Sequence, residues 1–129
     1  MAPITRFEDV EAWRKGRELA RRVYQVSAKG AFAQDFGLRD QIRRAAVSVI
    51  SNIAEGFERD GNRELRQFLS LAKGSVGELR AQLYVALDAH FISAAEFEDL
   101  NVLALETVRL IGGFIQYLDS STHRGAKYR

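Results

Sequence analysis

From Leu65 to Leu87 the apolar residues fall at steps of three and four: Leu65, Phe68, Leu69, Ala72, Val76, Leu79, Leu83 and Leu87. That spacing puts them on one side of an α-helix, in which successive residues rotate by about 100°. The pattern predicts a helix from about Arg63 to His90, spanning roughly 40 Å at about 1.5 Å per residue. A stripe that long is buried most readily against other helices of comparable length.

The chain supplies them. An apolar side of Val10, Trp13, Ala20, Val23 and Tyr24, with Leu19 at its margin, predicts a first helix over about residues 7–27. Thr5 and Glu8 would form a capping box at its start. The stretch AKGAFAQDFG then breaks the pattern and is the longest linker, with Phe32 and Phe36 available to pack back. A second helix is predicted over about 38–57. Arg59–Asn62 (RDGN) is a turn ending in an N-cap, and it leads to the third helix, about 63–90. Ser93 and Glu96 make a second capping box opening a fourth helix, about 94–119, which buries Phe97, Leu100, Ala104, Val108, Ile111, Phe114, Ile115 and Leu118. Nowhere does apolar/polar alternation run long enough for a strand. The predicted fold is all-α: one domain over residues 1–129, an antiparallel up-and-down four-helix bundle with a basic tail at 120–129.

The second helix, containing SVISNIAEGF, departs from simple amphipathicity. Leu38, Ile42, Ala46, Val49 and Ile53 form one apolar stripe. Val47 and Ala54 lie on another side, with Ile50 between. Burial on two sides predicts that one faces the bundle and the other meets another subunit. A polar seam of Gln41, Arg44, Ser48, Asn52 and Glu55 falls within about 80° of the wheel at helical spacing. Along it Arg44 can reach Ser48, and Ser48 can reach Asn52. The third helix carries Gly74, Ser75 and Gly77, followed by Glu78, which joins the seam. Each glycine costs a helix about 1 kcal/mol relative to alanine. The pair therefore points to close approach of another backbone, within the subunit or across an interface.

Chemistry is harder to place. The absence of cysteine excludes disulfides, thiolate metal sites and cysteine nucleophiles, and suits a reducing cytoplasm. A carboxylate-bridged di-metal site would need Glu-x-x-His pairs, yet Leu87 and Ser120 precede His90 and His123 by three. No serine has a base and orienting acid to make it a nucleophile. Glu55 and Glu78 read as satisfied carboxylates at a helix contact rather than an acid/base pair. Trp13, on the apolar stripe, reads as core rather than a base-stacking platform. No apolar run could span a bilayer, and the N-terminus lacks the pattern of a signal peptide. The expectation is a non-enzyme with no cofactor and no metal, cytoplasmic and not in the membrane.

Charge is informative through its distribution. The net charge is only +2, but residues 1–30 carry seven Lys/Arg against four Asp/Glu. The tail adds Arg124, Lys127 and Arg129 without an acid. Arg14, Lys15, Arg21 and Arg22 on the first helix, with those three tail residues, are the candidate nucleic-acid contacts. Arg17 lies nearer the apolar side. The competing reading is an ordinary solvated face and a frayed tail.

LRDQIRRAAVSVISNIAEGF (Leu38–Phe57), RQFLSLAKGSVGELRAQL (Arg66–Leu83) and FEDVEAWRKGREL near the N-terminus together resemble one family. It comprises the four-helix-bundle proteins encoded in intervening sequences of bacterial large-subunit ribosomal RNA genes. The likeness runs over about residues 7–118. It falls on Gln41, Arg43, Ser48, Asn52, Glu55 and Gly56, and on Phe68, Leu69, Ala72, Ser75, Glu78 and Leu79. Ala33 stands where the family commonly has proline. The resemblance implies a ring-like homo-oligomer, a pentamer, and kinship with the accessory protein of diversity-generating retroelements, which works with a reverse transcriptase and nucleic acid. It implies no catalytic site. The function expected is a non-enzymatic oligomeric scaffold that binds RNA or a nucleic-acid enzyme such as a reverse transcriptase. The alternative is a protein-interaction adaptor with no nucleic-acid role.

Overall fold

The computed structural model describes residues 4–121. All regular structure among them is helical. After a 3-10 turn at Phe7–Asp9 come α1 (Glu11–Ser27), α2 (Gly30–Gln34), α3 (Phe36–Glu58), α4 (Asn62–Asp88) and α5 (Ala94–Ser121). The four long helices are antiparallel neighbours in a closed cycle. Tyr24 of α1 lies against Arg43 of α3, and the Gly16 backbone lies against Ile50. Ser48 of α3 meets Ser75 of α4. Arg66 and Arg80 of α4 bond Asp119 and Asn101 of α5 at 2.7 and 3.0 Å. Lys29, just after α1, reaches Glu96 of α5 at 3.3 Å. This is the up-and-down four-helix bundle, with a short extra helix in its longest connection.

The start of α1 differs from the sequence expectation. Thr5 and Glu8 make no capping box: the N-caps of the 3-10 turn and of α1 are Arg6 and Val10, neither with a side-chain cap bond. Val10 is extended and buried, and Phe7 packs edge-on against Trp13 at 5.1 Å, so apolar packing sets the entry of the chain. Because Val10 precedes the helix, it misleads as a marker of helical phase. Leu19, placed at the margin, is fully buried, whereas Tyr24 is 43% exposed. The buried side of α1 is Ala12, Gly16, Leu19, Ala20, Val23 and Ser27. Gly16 belongs there because a Cβ would stand 2.9 Å from Ile50 Cγ2.

The linker is not all coil. Phe32 on α2 is wholly buried, while Phe36 stays 59% exposed with the Arg39 guanidinium over its ring. Asp35 caps α3, accepting from the Leu38 N–H at 3.0 Å. Before α4, Gly61 rather than Asn62 holds the N-cap position, at φ +90°, a region suited to glycine. α4 ends two residues before His90, in a Schellman motif. The Phe91 N–H donates to Ala86 O, the His90 N–H to Leu87 O, and His90 itself has φ +61°.

The Ser93/Glu96 capping box forms in full. The Ser93 N–H donates to Glu96 Oε1 at 2.9 Å and the Glu96 N–H donates to Ser93 Oγ at 3.0 Å. The Ser93 backbone bond, helped by Lys29 and opposed by partial burial, holds the Glu96 carboxyl below its usual value of 4.5. A lowered carboxyl pKa stabilises the fold above the unfolded value, and that contribution is lost as pH falls through the lower folded value. Glu96→Gln is therefore expected to reduce stability at pH 7. The deficit against wild type should shrink as pH drops below 4.5, as urea titrations at both pH values would show.

Candidate interaction surfaces

The seam residues divide into separate local contacts, one of which crosses between helices. Asn52 Nδ2 donates to Ser48 O at 2.8 Å and to Ser48 Oγ at 3.0 Å. Ser48 Oγ lies 2.9 Å from Ser75 Oγ on α4. Since the Ser48 hydroxyl accepts from Asn52, its own proton is free to point at Ser75. A polar chain thus ties α3 to α4 at one register. Glu55 bonds Arg59 on the surface at 2.8 Å, and Glu78 accepts from Gln82 Nε2 at 3.4 Å. The two carboxylates have separate partners. Gln82 is nine-tenths buried, and its Oε1 has no protein partner. Gln41 and Arg44 are exposed.

The anchored arginine of this region is Arg43. Its Nε donates to Ser27 Oγ at 2.8 Å, its Nη2 to Tyr24 O at 3.4 Å, and its guanidinium lies 4.5 Å from the centre of the Tyr24 ring. Ser27 is itself buried, donating to Val23 O at 2.7 Å. A serine on the apolar side of α1 was the available signal that a donor would reach in from α3. Beside this clamp, Tyr24, Asp40, Arg43, Arg44, Val47 and Ser48 line an open groove of about 530 Å³ between α1 and α3. Asp40 is paired with Arg39 at 3.0 Å.

The basic residues of α1 are less available than the sequence suggests. Arg14 bonds Glu8 O at 2.9 Å and Asp9 at 3.3 Å. Arg22 pairs with Glu18 at 3.5 Å. Lys15 and Arg22 line a second groove with Glu18, Asp99 and Glu106, so carboxylates face them from α1 and α5. Arg21 is exposed, and Arg17 lies over Trp13 at 5.8 Å. Arg124, Lys127 and Arg129 fall outside the described residues.

The outer face of α4 is of a different kind. Ser70, Leu71, Gly74, Gly77, Glu78, Ala81 and Val85 are all exposed and share about 120° of the helix wheel. Leu71 is 57% and Val85 53% exposed. A Cβ on Gly74 or Gly77 would meet nothing within 4 Å, so neither glycine serves a close approach inside the subunit. Among the described residues no three His, Asp or Glu side chains converge to hold a metal, and no helix is long and apolar enough to cross a membrane.

Residues 8–113 match the family model described as 23S rRNA-intervening sequence protein. The chain belongs to this family. A solved structure of similar fold is a protein of unknown function from the S23 ribosomal protein family of Bacteroides thetaiotaomicron VPI-5482. The two share 21% identity over 81% of this chain and 97% of that one, with a TM-score of 0.73. No curated protein matches the chain. The matched span takes in the Ser48–Asn52–Ser75 chain, both grooves and the outer face of α4.

Proposed function

We propose that the protein is a non-enzymatic cytoplasmic scaffold that assembles with copies of itself, as a ring of five by family resemblance. In this reading it presents basic surfaces to RNA or to a nucleic-acid enzyme such as a reverse transcriptase. The observation that carries it is the outer face of α4. Two glycines, each costing about 1 kcal/mol in a helix, stand in open space between exposed Leu71 and Val85. Nothing inside the subunit repays that cost, whereas a neighbouring helix could pack closely there. The buried Gln82 Oε1 without a partner belongs to the same helix. Assembly multiplies weak basic patches, which is how a chain of net charge +2 would gain a strongly salt-dependent hold on phosphates.

A fluorescence-anisotropy titration of the full chain with structured RNA tests the nucleic-acid half. Binding at micromolar protein that weakens steeply with salt is expected. No binding, or binding indifferent to salt, overturns it. The pairing of Arg14 and Arg22 with carboxylates favours a second reading, a protein-interaction adaptor without a nucleic-acid role. Co-purification of a protein partner that survives nuclease treatment would support that one instead.

A further inference from the structure

The structure assigns the contact with nucleic acid to the groove between α1 and α3, and its occupant to single-stranded RNA; this rests on the RNA-binding reading. The groove combines cationic and aromatic groups. Arg43 is held rigid by Ser27 Oγ and Tyr24 O, and its guanidinium stacks on the Tyr24 ring at 4.5 Å. Arg44, next along α3, is exposed at the rim with no carboxylate partner. Asp40 is the one acid lining the groove, and Arg39 already neutralises it at 3.0 Å. Arg21 and Arg17, three and seven residues before Tyr24, lie on the same side of α1 and continue the positive track.

A rigid cation, a half-exposed ring and the exposed Arg44 and Arg21 match a phosphodiester chain whose bases are unstacked. Phosphates would meet Arg44 and Arg21, and a base would stack against the Tyr24–Arg43 pair. A duplex keeps its bases in its own stack and would make no use of the ring. A second copy of the chain is the competing occupant, since a ring closes through unlike patches and Val47 also lines the groove; the molar-mass arm of the test separates the two. The α1–α5 groove lacks this character, since Glu18, Asp99 and Glu106 line it beside Lys15 and Arg22.

The test is anisotropy of a fluorescein-labelled oligouridylate, alone and annealed to oligoadenylate, with the full chain between about 50 and 200 mM salt. Wild type is expected to prefer the single strand. Arg44→Gln should weaken binding several-fold and reduce the salt slope by about 0.7, the value for one phosphate contact on a single strand. Tyr24→Leu should weaken single-strand binding by about tenfold or more, as loss of a stacking platform does, and leave duplex binding unchanged. Arg109→Gln, at an exposed arginine of α5, should bind as wild type. If wild type binds and the groove variants bind equally well, the groove assignment fails while the RNA-binding reading stands. If wild type binds neither strand nor duplex, that reading fails and the groove with it. If Arg44→Gln or Tyr24→Leu changes the molar mass and leaves RNA affinity intact, the groove is a subunit contact and the assignment is overturned.

Discussion

Phe32→Ala is expected to destabilise the protein by about 3–5 kcal/mol, the range for truncating a fully buried phenylalanine. Helix α2 has five residues, too few to hold its shape by backbone bonding alone. It is kept in place by the Phe32 ring, which is 0% exposed and stacks on Phe91 at 5.3 Å. Phe91 is in turn fixed by its N–H bond to Ala86 O where α4 ends. One aromatic pair therefore joins the α1–α3 connection to the α4–α5 turn, and Lys29–Glu96 closes the same end. A whole small domain is stable by only about 5–15 kcal/mol, so the alanine variant can unfold outright. Phe32→Leu, which leaves a smaller cavity, then provides the graded measurement. Urea denaturation followed by circular dichroism reads both, and a loss below about 1 kcal/mol for the alanine variant would show that the ring is not an anchor.

Gly56→Ala is expected to cost about 1–3 kcal/mol, although alanine is the better helix former by about 1 kcal/mol. A Cβ on Gly56 would sit 2.6 Å from Phe68 Cβ and 3.2 Å from Leu65 Cδ1. The Phe68 Cβ is fixed to its backbone, so α3 and α4 would have to part, and they are the two helices that the Ser48–Ser75 bond joins. Gly74→Ala and Gly77→Ala supply the contrast. With open space around both, each should stabilise an isolated subunit by about 1 kcal/mol and destabilise an assembly that packs on them. Thermal melts across protein concentration distinguish the cases: Gly56→Ala lowers the midpoint throughout, whereas the α4 glycine variants change sign with concentration.

The helices were legible because their apolar steps repeat over many turns. Leu65, Leu69, Ala72, Val76, Leu79 and Leu83 are fully buried, as their spacing requires. Legibility failed where tertiary packing outweighs local pattern. Val10 looked like part of the α1 stripe but precedes the helix, which shifted the inferred buried side towards Tyr24 and away from Leu19. Thr5 and Glu8 have capping-box spacing, yet Phe7–Trp13 packing sets the chain's path there. Ser93 and Glu96, with the same spacing, do form the box, because Lys29 takes the other Glu96 oxygen and leaves Oε1 to the Ser93 N–H. On the seam, spacing placed Ser48 beside Asn52 correctly. It could not reveal that Ser48 turns to Ser75, or that Arg43, one residue from the seam, is the anchored arginine, because both depend on neighbouring helices. Positive charge on α1 was countable, but the carboxylates facing Lys15 and Arg22 come partly from α5.

Self-assembly is the central claim, and light scattering coupled to gel filtration measures it directly. The account predicts a wild-type mass that is a multiple of the 14.5 kDa chain, five-fold if the family resemblance extends to stoichiometry. Leu71→Arg, on the outer face of α4, should lower that mass while leaving the helical circular-dichroism signal intact. A wild type that elutes at 14.5 kDa across the accessible concentration range would contradict the account.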